Sequence, residues 1–258
     1  MLKIATENDL NSIRLLCSNS ILGTKILCYV MAYGFNRDFL DVWMIEQDGE
    51  FAGVLARFYD AATLVTQDVT DTEQIRTFLG MINYRTLVCS YETAQDLSLT
   101  ISEVKNGYCF NGSACDFNMQ QLCEDDYYKA YALISREIPG SFSDTKEAYL
   151  SFLSDYTFRE RRGLARGVCS YCDDIIASTA LTSSETDNAA VISGVACDKS
   201  CQKKGLGKAT VLSLINSLKK ENKTAYVIAL NESAEGFYEH IGFDKVEKIA
   251  FIERKSYV

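Results

Sequence analysis

Residues 189–208 read AAVISGVACDKSCQKKGLGK, an apolar run that leads into a turn with two glycines. Residues 209–218, ATVLSLINSL, continue with apolar positions at helical spacing. The order is therefore strand, glycine-containing turn and helix. Such a turn lets the backbone approach a ligand, and the free N–H groups at the helix start favour a phosphate. The positive charges of Lys203, Lys204 and Lys208 strengthen this expectation.

Two common phosphate-binding loops do not fit the turn. The nucleoside triphosphatase loop needs Ser or Thr after its lysine, and Lys208 is followed by Ala209. The dinucleotide fingerprint needs a third glycine where this chain has Thr210.

The turn instead resembles the Gln/Arg-x-x-Gly-x-Gly/Ala pyrophosphate loop of the GCN5-related N-acetyltransferases (GNAT), with Gln202, Gly205 and Gly207 at its defining positions. A second block supports the resemblance, because the family's Asn-x-x-Ala-x-x-x-Tyr-x-x-x-Gly-Phe pattern is met in the expected order. Its residues here are Asn231, Ala234, Tyr238, Gly242 and Phe243. The resemblance is strong from about residue 176 to 251, moderate from about 117 to 175 and faint before that.

The resemblance implies an acetyl-CoA site without a metal. In the family, exposed backbone of the central strand binds the pantetheine arm, the loop holds the pyrophosphate, and a tyrosine protonates the leaving thiolate. Tyr238 is the implied catalytic acid. The implied acetyl-CoA-binding residues are Val195, Ala196, Cys197, Gln202, Lys203, Lys204, Gly205, Leu206, Gly207, Lys208, Asn231, Ala234 and Tyr238.

The general base is left open by the sequence. Many relatives carry a glutamate in or near the central strand, whereas residues 189–194 contain no carboxylate. The candidates are Glu185, Asp187, Asp198 and Glu137, or a chain of water molecules. The only histidine of the chain, His240, is interpreted as a structural residue of the second block rather than as a catalytic group.

Composition narrows the class of protein. The 258 residues carry a formal net charge of −9, which argues against a nucleic-acid surface. No secretory signal or long apolar segment is evident, so we expect a cytoplasmic protein whose 10 cysteines are reduced thiols. Cys169 and Cys172 have metal-like spacing, but on a strand residues three apart point to opposite faces. With one histidine in the chain, we expect no metal site.

The organisation predicted is two domains, residues 1–112 and 113–258. The expected fold class is α/β (α+β), a GNAT fold with a mixed, mostly antiparallel central sheet flanked by helices. The N-terminal part is interpreted either as a degenerate GNAT-like copy without a cofactor motif or as an unrelated α/β domain. The predicted helices are 5–18, 71–81, 125–137 and 144–155, and the predicted strands are 41–46, 51–58, 62–65, 86–89, 164–172, 175–182, 189–197 and 248–254.

The function predicted is acetyl-CoA-dependent N-acetyl transfer to a primary amine, by direct attack in a ternary complex. The sequence does not choose among a small metabolite, a polyamine, an aminoglycoside-like drug and a protein N-terminus. The alternatives are a non-catalytic acyl-CoA-binding or regulatory module, and transfer of a longer acyl group. Neither a nucleic-acid nor a membrane partner is expected, and a homodimer is compatible with the resemblance.

Overall fold

The computed structural model describes residues 1–35, 37–67, 71–113, 117, 119–173 and 175–254. The chain divides into two compact units, and neither is one continuous stretch. The first holds Met1–Tyr108, Ala229–Glu235 and Lys245–Val258, and the second holds Cys109–Ile228 and Gly236–Asp244. The chain first passes from one unit to the other between Tyr108 and Cys109, and residues from Lys245 onward return to the first unit. The predicted domains, 1–112 and 113–258, stay a prediction.

The first unit is built on a mixed sheet with the strand order β1-β2-β3-β4-β5-β12-β6. Its strands are β1 (Leu2–Ile4), β2 (Leu40–Gln47), β3 (Glu50–Phe58), β4 (Ala61–Thr66), β5 (Thr86–Ser90), β6 (Glu103–Phe110) and β12 (Phe243–Glu253). Its helices are α1 (Leu10–Leu16), α2 (Ile21–Tyr33), α3 (Thr72–Met81) and α4 (Tyr91–Asp96).

The predicted strands 41–46 and 51–58 are confirmed, and they form a hairpin in the first unit. β2 and β3 pair antiparallel, and Asp48 and Gly49 turn the chain with φ angles of 52° and 84°. Positive φ at both central residues is the geometry for which Asp-Gly is favoured. β4 then pairs antiparallel with β3 and parallel with β5, with α3 as the crossover.

The second unit is built on a sheet with the order β11-β10-β9-β8-β7. Its strands are β7 (Gln120–Gln121), β8 (Gly167–Cys172), β9 (Ile175–Glu185), β10 (Ala189–Cys197) and β11 (Thr224–Ile228). Its helices are α5 (Tyr127–Glu137), α6 (Lys146–Glu160) and α7 (Leu206–Lys220); α8 (Glu232–Ile241) begins in residues of the first unit and ends in the second.

The two units repeat one order of elements. After a short first strand, β1 or β7, each has two helices and three antiparallel strands, and then crosses by a helix to a strand that is parallel to the third of these. In the first unit these are α1, α2, β2, β3, β4, α3 and β5, and in the second they are α5, α6, β8, β9, β10, α7 and β11. The predicted fold class is confirmed, and the repeat supports the degenerate copy over an unrelated α/β domain.

Several boundaries differ from the prediction. The sequence did not reveal α2 or β6. α6 is capped by Thr145, whose side chain accepts from the Ala148 N–H at 3.2 Å, and it runs to Glu160 rather than to residue 155. The predicted turn at residues 173–174 lies partly outside the described residues, because only Asp173 is described there, with a φ of 54°.

Candidate functional site

The central strand of the second unit diverges from its parallel neighbour. The pairing of β10 with β11 runs from Ala189↔Thr224 to Ile192↔Val227 and ends there. Beyond Ile192, β10 continues to Cys197 and keeps its pairing with β9 on the other edge. The carboxyl-terminal half of β10 therefore presents one backbone edge that β11 does not cover, as a strand-like ligand would need.

A bulge marks the start of this uncovered half. The register between β10 and β9 shifts between Ser193 and Ala196, and Gly194 adopts a φ of 56°. A side chain at Gly194 would place its Cβ 2.9 Å from the Ile134 Cδ1, so α5 covers the bulge closely. The Thr179 hydroxyl fixes it by donating to the Gly194 carbonyl at 2.8 Å. Glycine is required there both for its conformation and for the close approach of α5.

The predicted pyrophosphate loop follows β10 directly. One turn of 3-10 helix, Lys199–Cys201, leads into exposed residues 202–205. Lys203 and Gly205 both adopt left-handed backbone, with φ of 60° and 80°. The Gln202 side chain donates from its Nε2 to the Cys197 carbonyl at 3.2 Å, which ties the loop to the end of β10. The loop thus lies beside the uncovered edge of the strand.

α7 begins in this loop without a side-chain cap. Gly205 is the N-cap residue, and no side chain caps the helix or places an acidic group in its first turn. A Cβ built on Gly207 would meet only the Cys197 Cβ, at 3.9 Å, so the space in front of the helix is open. Lys203, Lys204 and Lys208 add charge to the helix dipole. This is the local structure that the predicted anion site requires, and the site itself stays a prediction.

Asn231 and Ala234, the other predicted cofactor residues, fall in the first unit. The Asn231 Oδ1 accepts a hydrogen bond from the Ala234 N–H at 3.0 Å at the start of α8. The oxygen of this amide is therefore used in capping the helix, which leaves its Nδ2 donor for a ligand. Their roles toward acetyl-CoA stay predictions.

Tyr238 is buried on the inner face of α8. The residue is 6% exposed, and its ring packs edge-on against Phe237 and Phe243. Burial raises the pKa of the Tyr238 phenol above its ordinary value of 10. The phenol is therefore protonated throughout the neutral range, as a hydrogen-bond donor must be. His240, two residues on, is exposed.

Glu185 is excluded as a general base by its surroundings. The Glu185 side chain is fully buried. Arg166 donates hydrogen bonds of 2.9 Å to it from Nε to Oε1 and from Nη2 to Oε2. Lys223 adds a 3.0 Å ion pair. Glu185 pairs with Ala190, at the opposite end of β10 from the uncovered edge. Asp187 lies in the connection between β9 and β10 at that same remote end.

The Glu185 ion pair is expected to stabilise the fold rather than to serve catalysis. Replacing Glu185→Gln should lower the free energy of unfolding by about 3 kcal/mol, because Arg166 and Lys223 lose a buried countercharge. The neighbouring Glu221 also pairs with Arg166, at 2.6 Å, but its side chain is 46% exposed. The matched Glu221→Gln variant should therefore change the free energy of unfolding by less than ~1 kcal/mol. Denaturant titration of both variants checks this, and equal effects would contradict it.

Two carboxylates remain near the carboxyl end of β10. Asp198 is a weak base, because hydrogen bonds from the Ser200 hydroxyl and N–H lower the pKa of its carboxyl. Glu137 ends α5, one turn beyond the Ile134 side chain that contacts the bulge. The Glu137 side chain is 7% exposed, and its Oε1 lies 2.9 Å from the Arg136 Nε. The Nη2 of the same arginine forms an ion pair with Asp198.

Within the described ranges, no group of three or more His, Cys, Asp and Glu side chains could hold a metal ion. In the same ranges, no helix has the length and apolar character needed to span a bilayer.

Gly194 and Glu137 are the residues whose importance sequence reasoning missed or left open. An isolated glycine inside a strand pattern is a signal of a bulge. Glu137 had no such signal, because only the packing of α5 on β10 brings its carboxylate to the strand end.

The comparisons with known proteins agree with this geometry. The family model described as "Acetyltransferase (GNAT) family" matches residues 127–243. No curated protein is significantly similar to the chain in sequence.

Solved structures resemble the whole chain, at identities that show the fold alone. An acetyltransferase of the GNAT family from Colwellia psychrerythraea matches with a TM-score of 0.63 and 13% identity, over 99% of this chain and 100% of that chain. A tandem GNAT protein from the clavulanic acid biosynthesis pathway gives 0.63 and 13%, over 97% of each chain. A GCN5-related N-acetyltransferase from Sphaerobacter thermophilus gives 0.64 and 12%, over 97% and 94%. Residues 127–243 of this chain are thus similar to the acetyltransferase (GNAT) family, and the chain as a whole has the fold of these solved structures.

Proposed function

We propose that the protein is an acetyl-CoA-dependent N-acetyltransferase that uses a primary amine as acceptor. The observation that carries the proposal is the presence, within one unit, of three features. These are the uncovered edge of β10, the open helix start at Gly205 and Gly207, and the buried phenol of Tyr238. The first suits the pantetheine arm, the second suits the pyrophosphate, and the third suits the thiolate that leaves.

Different groups would bind acetyl-CoA and activate its thioester. Backbone groups of Val195, Ala196 and Cys197 would hold the pantetheine arm as an added strand, and one N–H would polarise the thioester carbonyl. Backbone N–H groups of residues 202–208 would hold the pyrophosphate, with lysine side chains around it. Acetyl-CoA supplies an activated acyl group, so the amine attacks directly and no covalent enzyme intermediate forms.

Glu137 is the base that the geometry favours. Glu185 and Asp187 lie at the remote end of β10, and the pKa of Asp198 is lowered by its hydrogen bonds. Glu137 is the remaining carboxylate among the four candidates, and it is carried by the helix that covers the bulge. It would take the proton that the attacking ammonium loses, directly or through one water molecule.

The rival is a non-catalytic acyl-CoA-binding module. The absence of a carboxylate from the sequence of β10 favours it. Both functions require acetyl-CoA binding, and they differ only in whether an amine releases CoA. The experiment is calorimetric titration with acetyl-CoA at low salt, followed by a thiol-release screen of polyamines, aminoglycosides and N-terminal peptides. Binding with no turnover across all three amine classes would favour the module, and no binding would overturn both.

Replacement of Glu137→Gln tests the base once an acceptor is known. We expect kcat/KM near neutral pH to fall roughly tenfold, since a water molecule retains part of the proton transfer. The acid limb of the pH profile should shift, while the Kd for acetyl-CoA stays unchanged. Asp198→Asn is the matched control and should leave the acid limb in place. An unaltered pH profile in Glu137→Gln would remove Glu137 from the mechanism.

A further inference from the structure

The first unit has a split between two parallel strands, as the second unit has between β10 and β11. β4 and β5 pair in parallel only as far as Thr63↔Val88. Beyond that point β4 continues to Thr66 in its pairing with β3, and β5 continues to Ser90. The carboxyl ends of the two strands therefore lie apart, and crevices outside the carboxyl ends of parallel strands are common ligand sites.

A cavity of about 270 Å³ lies at this split. It is bounded by the last residues of both strands and by the helices that follow them, α3 and α4. Hydroxyl groups, two carboxylates and the apolar side chains of Ile75 and Leu97 line it. Its volume is slightly below that of sites for drug-sized molecules, so it suits a smaller ligand.

The charge at this split is opposite to that at the loop of the second unit. The N-cap residue of α3 is Asp71, whose carboxylate accepts a hydrogen bond from the Gln74 N–H at 3.1 Å. Glu73 adds a second negative charge in the first turn of the helix. In the second unit, the corresponding helix begins at Gly205 without a side-chain cap. The start of α3 therefore disfavours a phosphate, and the first unit is not expected to bind a second acetyl-CoA.

Hydroxyl groups form the buried polar part of the cavity. The Ser90 hydroxyl donates to the Thr93 Oγ1 at 2.9 Å and accepts from the Thr93 N–H at 3.0 Å. Thr93, which is 8% exposed, also shares a hydrogen bond of 2.8 Å with the Thr66 hydroxyl. These bonds join both strand ends to α4. Because a hydroxyl oxygen has two acceptor lone pairs, Thr66 and Ser90 can each accept one more hydrogen bond, from a ligand.

Two carboxylates lie at the mouth of the cavity, on one face of α4. Glu92 and Asp96 are four residues apart in the helix, so their side chains are neighbours of like charge and repel each other. Both residues are exposed, and neither forms an ion pair within the part of the chain that the structure describes. A cation that binds between them would remove this repulsion.

We propose that this cavity binds a small organic ammonium ion, a primary amine with a short aliphatic chain. Glu92 and Asp96 pair with the ammonium group, and the hydroxyl oxygens accept its hydrogen bonds. The aliphatic chain lies on Ile75 and Leu97, which are 1% and 2% exposed. The inference goes beyond the proposed function, because the site lies in the first unit and requires no acetyl-CoA.

A metal ion fits the cavity less well than an ammonium ion. Calcium takes about six to eight oxygen ligands, whereas two carboxylates on one exposed helix would leave most of them to water. Among the described residues, no group of three or more His, Cys, Asp and Glu side chains could hold a metal ion. An ammonium group needs only a few acceptors for its N–H donors, and the cavity provides them.

Calorimetric titration with 1,4-diaminobutane at low salt, without acetyl-CoA, tests the site. We expect binding that the uncharged 1,4-butanediol does not reproduce. The double variant Glu92→Gln/Asp96→Asn should raise the Kd roughly tenfold, because both countercharges are lost. The matched control is Glu73→Gln, which removes an exposed carboxylate of α3 outside the cavity lining and should keep the native Kd.

Hydrogen exchange locates the ligand without any substitution. In the native protein, 1,4-diaminobutane should slow exchange in β5 and α4, residues 86–96. Protection confined to the second unit would place the amine at the proposed acceptor site and would refute the inference. No binding, an unchanged Kd in the double variant, or displacement of the diamine by equimolar Ca²⁺ or Mg²⁺ would also refute it. Thiol release from acetyl-CoA is a separate readout, so a failure of the proposed function is distinguishable from a failure of this site.

Discussion

Replacing Gly207→Trp should abolish measurable acetyl-CoA binding. Gly207 is the second residue of α7, and a Cβ there points into open space bounded only by the Cys197 Cβ at 3.9 Å. An indole at that position would occupy the volume in front of the helix start, where the pyrophosphate must approach the N–H groups. Loss of two or more charge-assisted hydrogen bonds corresponds to a Kd about 10³-fold higher. Calorimetric titration with acetyl-CoA at low salt measures it.

Gly207→Ala is the matched control. The alanine Cβ meets ordinary contact distances, and Gly207 does not have positive φ. Alanine also favours a helix over glycine by about 0.5–1 kcal/mol. The alanine variant should therefore bind acetyl-CoA within a few-fold of the native protein and unfold at the same or a higher temperature. Native-like binding by Gly207→Trp, with the fold intact, would show that the loop does not hold the pyrophosphate.

The glycine-rich loop was predictable because its conformation depends on residue types that the sequence displays. Gly205 adopts the left-handed conformation that glycine permits. The apolar runs on either side of the loop predicted the strand before it and the helix after it. The boundaries of β10 are those predicted, residues 189–197. At β10 and the loop that follows it, the local sequence preferences and the tertiary structure favour the same conformation.

α2 was missed because it is apolar on nearly every face. Its sequence, ILGTKILCYVMAY, has no polar stripe, and most of its residues are buried. Hydrophobic periodicity identifies helices that have one solvent-exposed polar face. A helix that is surrounded by protein has no such face, and its sequence shows no periodic pattern. The N-terminal copy of the fold was therefore faint in the sequence, although its order of elements is intact.

β6 was not predicted as a strand, because its turn-forming residues serve tertiary contacts. The Asn106 carbonyl accepts from the Ala229 N–H at 3.0 Å, and its side chain donates to Glu235. Gly107 lies where a Cβ would come within 2.5 Å of the Ile21 Cδ1. Asparagine serves there for its hydrogen bonds and glycine for the space it leaves, although the same residue types also predict a turn.

The general base illustrates the same limit at the site. Glu185 is close to β10 in sequence, yet pairing places it at the remote end in a buried ion pair. Glu137 is separated from β10 by more than fifty residues of sequence, yet α5 brings it to the uncovered half. The sequence does not rank Glu185 above Glu137, whereas the fold places Glu137 at the end of β10 where the chemistry would occur.

Replacing Tyr238→Phe should lower kcat on the order of 10²-fold while leaving the Kd for acetyl-CoA unchanged. The ring is buried between Phe237 and Phe243, so phenylalanine keeps the packing and removes only the hydroxyl. Burial raises the pKa of the phenol, which makes it a weaker acid than an ordinary thiol. Its contribution is therefore a hydrogen bond donated to the developing thiolate rather than early proton transfer. Thiol release under single-turnover conditions isolates this step.

The matched control for that variant is Tyr156→Phe. Tyr156 is 1% exposed in the same unit, and among the described residues its buried hydroxyl has no hydrogen-bond partner. Its removal should leave kcat unchanged and should not lower the free energy of unfolding, because an unsatisfied polar group is lost.

The raised pKa of the Tyr238 phenol also predicts that the alkaline limb of the native pH profile does not belong to Tyr238. Equal single-turnover rates for the native protein and Tyr238→Phe would mean that the leaving thiolate is stabilised by another donor. The backbone N–H groups at the uncovered half of β10 would then be the next groups to test.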